Sequence, residues 1–192
     1  KLNKMGNLTS PTSELVFEDC EVPAENLLAQ EGFGFITVGK TILEWERSCL
    51  LAAGLGGMVN NLKNTVAYAK ERRQFGRPIS EFQAIQKKIA DMYIWVESSR
   101  MALYRVAMLK DAGQPAMLEA SIAKLFMSEA GLKLADHAVQ IHGGYGYMRE
   151  YAAERHYRDS KLGTIGAGTS EVQRMVISKM LLDIKKKKGG AA

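Results

Sequence analysis

The stretch Ser80-Glu81-Phe82-Gln83-Ala84-Ile85-Gln86-Lys87-Lys88-Ile89-Ala90-Asp91-Met92-Tyr93-Ile94-Trp95-Val96, running on through Leu103 to Val106, decides the fold class. Phe82, Ile85, Ile89, Met92, Val96, Leu103 and Val106 recur at helical spacing, so they line one face of a long amphipathic helix. Ser80 followed by Gln83 reads as a capping box opening that helix. Gly113 closes it, and Pro115 suits the first helical position of the next one.

The same pattern repeats on either side of this helix. The segment after Pro115 carries Ala116, Ala120, Ala123, Ala130, Gly131, Ala135 and Ala138, small residues that let helices approach closely. The turn Gly143-Gly144-Tyr145-Gly146-Tyr147 stops it. An aromatic, charged connector leads to a second glycine loop at 163–168. Ser170 with Gln173 then reads as another capping box, and Val172, Met175, Val176, Met180 and Ile184 share one face of the last helix. On the other side a long helix is expected over 33–70, loosened at Gly54-Leu55-Gly56-Gly57. Four long helices with short connectors describe a mainly α chain, a four-helix bundle over residues 31–184. Residues 1–30 differ. Glu14-Leu15-Val16-Phe17-Glu18-Asp19-Cys20-Glu21-Val22-Pro23 is β-leaning, and a lone strand is unstable, so it belongs to a sheet supplied elsewhere. Residues 185–192, Lys185 to Lys188 and then Gly189-Gly190-Ala191-Ala192, read as a frayed, solvated tail.

Composition narrows the function classes. The 192 residues are 46% hydrophobic, enough for one sizeable core. No apolar run is long enough for a membrane span. The net charge is +5, much of it in the Lys185–Lys188 run, and no aromatic platform interleaves with it, which argues against nucleic-acid binding. Cys20 and Cys49 read as free thiols, and His137, His142 and His156 lack metal-ligand spacing, so no metal site is expected. The start Lys1-Leu2-Asn3-Lys4-Met5-Gly6 has no initiating Met; the chain reads as a piece, and its targeting segment is not observable.

Several constellations carry chemistry. Gly39, Leu43, Glu46, Leu50, Ala53 and Gly57 form a small or apolar stripe that contains one carboxylate. A carboxylate there either reaches water at the stripe's edge or is buried with a partner or a task, such as proton transfer. Gly166-Ala167-Gly168-Thr169-Ser170 runs into a helix N-terminus, where free N–H groups favour an oxyanion or carbonyl, or simply form a tight turn. Arg72-Arg73-Gln74-Phe75-Gly76 offers guanidinium groups suited to phosphate, or a solvated basic loop.

Together these segments have the order of one family. Glu71-Arg72-Arg73-Gln74-Phe75-Gly76-Arg77-Pro78-Ile79 with Phe82-Gln83, then Gln140-Ile141-His142-Gly143-Gly144-Tyr145-Gly146-Tyr147, then Tyr157-Arg158-Asp159-Ser160-Lys161, then Gly168-Thr169-Ser170-Glu171-Val172-Gln173-Arg174 closely resemble the C-terminal half of acyl-CoA dehydrogenases. Leu15 to Leu28 looks like the end of that family's middle β-domain, with its linker, so the truncated β segment precedes the bundle.

The resemblance implies FAD-dependent oxidation of an acyl-CoA thioester to the 2-enoyl-CoA, with electrons passed to an electron-transfer flavoprotein. Most family members carry the base immediately before the loop's Gly-Thr-Ser, where this chain has Ala167. A minority, the isovaleryl type included, carries it on the first long helix before an arginine, and Glu46-Arg47 matches. The resemblance thus gives Glu46 as the catalytic base and the Ala167 N–H as donor to the thioester oxygen. It gives Glu44, Arg47, Gly166 and Ala167 as substrate contacts. It gives Arg72, Gln74, Phe75, Gln83, Gln140, Gly144, Thr169 and Glu171 as FAD contacts, and Gln83 competes with its own capping role. Glu171 stands where straight-chain enzymes carry glutamine. With Gly166 and Ala167 small, a short branched (isovaleryl-like) or cyclic acyl group is expected; the alternatives are a long-chain type, or an oxidase or monooxygenase on the same fold. The resemblance also implies a homo-oligomer, a dimer of dimers, and a location in cytoplasm or mitochondrial matrix according to source. The isolated piece is expected to be inactive.

Overall fold

A computed structural model describes residues 1–182, and the helical bundle expected from the sequence is what it contains. A π-helical run, Phe35–Gly39, leads into α1 (Lys40–Glu46); α2 (Leu50–Glu71), α3 (Gln83–Asp111), α4 (Met117–His142), α5 (Ala152–Lys161) and α6 (Ser170–Leu181) follow. The α4 helix is central and packs on α2, α3, α5 and α6. Its Ala123, Ala135 and Ala138 are fully buried, so its small-residue seam admits close neighbours. The core joins Leu55 and Met58 of α2 to Met92 and Val96 of α3 and to Met127, Leu134 and Ile141 of α4. The α3 stripe lies where its spacing puts it: Phe82, Ile85, Ile89 and Leu103 pack on this core, and Val106 joins Ala116, Ala120 and Ala123 in a second cluster.

Local departures from the expected pattern have identifiable causes. The first long helix breaks at Arg47-Ser48-Cys49 rather than at Gly54–Gly57, which stay helical. Ser48 Oγ donates to the carbonyls of Glu44 (2.8 Å) and Trp45 (3.2 Å), competing with the backbone ladder. The capping box at Ser80 is not made: Ile79–Glu81 forms a 3-10 turn, and extended Phe82 is the N-cap of α3. Pro115 precedes the Ala116 N-cap of α4 instead of opening the helix. At α6 the cap is Thr169, whose hydroxyl accepts the Val172 N–H at 3.3 Å, and Ser170 is the first helical residue. The face of α6 carrying Val172, Met175 and Met180 is exposed in this chain, and Ser170 and Gln173 are its buried residues. Ile184 and the tail at 185–192 lie outside the described residues.

Two elements were not expected. The loop after α2 is a hairpin in which β1 (Arg73–Gln74) pairs antiparallel with β2 (Arg77–Pro78). Phe75 and Gly76 both have positive φ (52° and 83°), as a two-residue type I′ turn requires. The charged connector is α5. Glu154 and Arg158 pair at 2.7 Å one turn apart, with the acid in the first turn and Arg158 and Lys161 in the last. Conversely, the strand expected near 14–23 is absent. Leu15, Val16 and Phe17 are exposed, and no strand among the described residues lies beside them to complete a ladder. The N-terminal segment instead docks on α5. Arg158 Nη1 donates to the Met5 carbonyl at 2.9 Å, and the Asn7 N–H donates to Asp159 Oδ1 at 2.6 Å. Gly6 permits this approach, because a Cβ there would sit 2.7 Å from the Arg158 carbonyl.

Candidate functional site

The helix break after Glu46 and the loop before α6 meet. Arg47 Nε donates to the Ala167 carbonyl at 3.1 Å, so the residue beside Glu46 is tied directly to the loop. Glu46 and Ala167 border one cavity of about 710 Å³ between α2, α4 and α5. The stripe read from the sequence proves to be a wall of this cavity more than a core face. Glu46, Leu50, Ala53 and Gly57 border it, and Leu50 is 63% exposed. The buried face of α2 is instead Leu55, Met58, Asn61, Thr65 and Ala69. Bare backbone enlarges the space: a Cβ at Gly54 or Gly57 would meet nothing within 4 Å.

The Gly166-Ala167-Gly168 loop is unusually well held. Ala167 has φ 54°, a left-handed conformation that a residue with a Cβ adopts at a cost of roughly 1–2 kcal/mol. Its carbonyl accepts from both Arg47 Nε and Gln173 Nε2, each at 3.1 Å. The Gly168 carbonyl accepts from Lys124 Nζ at 2.7 Å and Gln173 Nε2 at 3.2 Å. Arg47, Lys124 and Gln173 are all buried. Burial lowers the Arg47 pKa, opposed by Glu46. Burial, and then the neighbouring Arg47 charge, lower that of Lys124, with Glu129 and Glu171 acting the other way. Glu171 is held below the ordinary carboxylate value by its own backbone N–H and by the Thr169 hydroxyl, so its carboxylate serves the start of α6.

The remaining predicted residues fall in two places. Glu44 lies away from the cavity and pairs with Lys110 of α3 at 2.8 Å. Arg47 faces the loop and does not border the cavity. Gly166 borders it and Thr169 caps α6. At the far end of α2, about 33 Å away by the rise of its 22 residues, stand Arg72, Gln74, Phe75, Gln83, Gln140 and Gly144. Arg72 lies over the Tyr145 ring at 5.2 Å, and Tyr68 stacks on His142 at 4.1 Å, joining the C-terminal end of α2 to the end of α4 and the glycine turn. Gln74, Gln83, Gln140 and Gly144 are exposed, and Phe75 is 92% exposed. Lys124 and Gln173, which hold the loop, were not among the residues expected at the site. A lysine in an alanine-rich helix reads as a solvated position, and Gln173 read as a capping partner. The clue was the apolar neighbours, Ala120, Ala123 and Met127, which put Lys124 on the packed face of α4.

Comparison with known proteins places this architecture. Residues 32–182 match the family described as acyl-CoA dehydrogenase, C-terminal domain. A probable acyl-CoA dehydrogenase of Bacillus subtilis is 48% identical over 180 residues, 94% of this chain and 47% of that protein. A subunit of the caffeyl-CoA reductase–Etf complex of Acetobacterium woodii is 45% identical over 94% of this chain and 47% of its own. The structure of butyryl-CoA dehydrogenase from Megasphaera elsdenii superimposes with a TM-score of 0.89 at 44% identity, covering 94% of this chain and 47% of that one. The chain spans about half the length of the curated relatives it matches. It belongs to the acyl-CoA dehydrogenase family, of which it carries the C-terminal domain.

Proposed function

We propose that the complete protein dehydrogenates an acyl-CoA thioester to the 2-enoyl-CoA, with Glu46 as the base that removes the α-proton. The observation that carries this reading is the shared cavity: Glu46 and the Ala167 loop border one space. The other cavity carboxylate, Asp159, is engaged by the Asn7 N–H. The Ala167 position itself contributes no carboxylate. Its backbone N–H donates to the thioester oxygen and stabilises the negative charge that develops there as the α-proton leaves. Glu46 keeps that proton on its carboxylate.

The chemistry of the residues at the far end of α2 fits FAD. Arg72, Gln74 and the exposed Phe75 ring at one end of α2, with the uncovered backbone of Gly144, suit the pyrophosphate and adenosine; Gln83 and Gln140 add amides. Gln83 is free for this, because the capping box that would compete for it is not formed. Thr169 and Glu171 belong to the flavin side. When bound, FAD supplies the hydride acceptor for the β-hydrogen and the route for two electrons to an electron-transfer flavoprotein, the partner class named for the Acetobacterium relative. The two groups of residues stand at opposite ends of α2, so we assign them to two flavins shared between copies of the chain, which makes the protein a homo-oligomer. Glu44 and Arg47 stay candidates for the CoA side only where substrate reaches them; their contacts to Lys110 and Ala167 make them supports first.

For the acyl group we propose a short branched or cyclic chain, on the strength of the space left by Gly54, Gly57, Gly166 and Ala167. The test is flavin bleaching in the full-length protein with isovaleryl-, isobutyryl-, 2-methylbutyryl-, butyryl-, long-chain and cyclic acyl-CoAs. Fastest bleaching is expected with a branched or cyclic substrate. Butyryl-CoA or a long chain in first place would overturn the substrate, and no bleaching with any of them would overturn the activity.

A further inference from the structure

We propose that Lys124 is a positioning residue for this reaction: its buried ammonium fixes the Gly168 carbonyl, holds, together with Arg47 and Gln173, the loop that presents the Ala167 N–H, and sets a positive charge behind the oxygen on which negative charge develops. The inference rests on the thioester reading of the cavity.

Four observations support it. Lys124 is only 3% exposed, yet its ammonium donates at 2.7 Å to a neutral carbonyl and has no carboxylate within ion-pair distance among the described residues. A buried charge held this way is costly, so a purely structural link would be served better by a neutral donor. Gln173 already supplies such a donor to the same carbonyl. Second, Arg47 lies close enough to oppose the Lys124 charge, so the fold keeps two like charges against one loop. Third, the loop they hold is strained at Ala167 and closely packed. A Cβ on Gly168 would come within 2.8 Å of Gln173 Nε2 and 3.0 Å of Arg47 Nη2. Fourth, Lys124 also borders the cavity that Glu46 and Ala167 share. A fixed positive charge beside a site of developing negative charge, in low dielectric, stabilises it without reorganisation.

The test compares wild type, K124M and K124Q in the full-length, FAD-loaded protein. Met keeps the stem and loses donor and charge; Gln keeps a donor and loses the charge. K124M is expected to lower kcat about 10- to 100-fold with KM within threefold and the unfolding midpoint unchanged. K124Q should fall between the two. A bound 3-oxoacyl-CoA, followed by its enolate absorbance, should ionise at a pH about one unit higher in K124M. A kcat for folded K124M within threefold of wild type would overturn the proposal, as would a kcat loss that only matches a loss of folded protein. Should K124M fail to fold, K124Q decides by the same criteria. If wild type bleaches with no thioester, the function reading has failed, and amide exchange at Ala167 and Gly168 then decides on positioning. Exchange at least tenfold faster in the variant supports it, and unchanged exchange overturns it.

Discussion

Replacing Gln173 by methionine should leave stability nearly unchanged, although Gln173 is completely buried and hydrogen-bonded twice. Its Nε2 donates to the Ala167 and Gly168 carbonyls at 3.1 and 3.2 Å, and losing two such bonds costs about 2 kcal/mol in total. Both carbonyls keep a charged donor, however: Arg47 Nε at 3.1 Å on one and Lys124 Nζ at 2.7 Å on the other. Neither is left unsatisfied, so no desolvation penalty is added. Meanwhile Gln173 Oε1 is itself buried without a partner, and removing it returns roughly 1–3 kcal/mol. Methionine matches the unbranched shape. The terms cancel to within about 1 kcal/mol. Urea unfolding of the full-length protein, compared at equal slope, measures this directly. A loss greater than about 2 kcal/mol would make the amide, rather than the two cations, the principal support of the loop.

Phe75 carries a positive φ at the hairpin tip with its ring 92% exposed, so F75N should stabilise the protein by up to about 1 kcal/mol and weaken FAD retention. Thermal unfolding and the flavin-to-protein ratio check the two halves, and a variant that lost stability or kept full flavin would contradict the corresponding half. Burial lowers the pKa of His137 and His156, so the unfolded chain takes up protons first as pH falls. Their contribution is therefore complete above about pH 6.5 and is lost as pH falls through the folded values. Asp91, Glu154 and Glu171, also depressed, act at lower pH, because their ordinary values are lower. The fall in urea midpoint between pH 7.5 and 5.5 should thus be smaller in H156Q than in wild type, and an equal fall would exclude His156 from the linkage.

The sequence was most legible where side-chain periodicity alone determines the outcome. The α3 stripe from Phe82 to Val106 needed no information from elsewhere in the chain. It was less legible where two local rules compete. Ser80 and Ser170 both carry capping signals, but Phe82 and Thr169 occupy the cap positions, because a shift of one or two residues in where the backbone turns decides which residue stands at the cap. The break in the first helix went to Ser48 back-bonding rather than to the glycines, since a glycine lowers helix propensity without providing a competing hydrogen bond. The Glu46 stripe was correctly seen and only partly interpreted: apolar spacing cannot tell a wall facing a cavity from a face packed on a core. Lys124 was illegible because its partner, the Gly168 carbonyl, lies 44 residues away and belongs to the backbone.

Glu46 is proposed to take the α-proton because the loop before α6 offers only the Ala167 backbone. Stopped-flow reduction of the flavin in full-length E46Q, mixed with the acyl-CoA that reduces wild type fastest, measures this. E46Q is expected to retain FAD and bind the thioester while flavin reduction slows by about 10²–10⁴-fold. Reduction at a rate near that of wild type would contradict it and move the base elsewhere in the cavity.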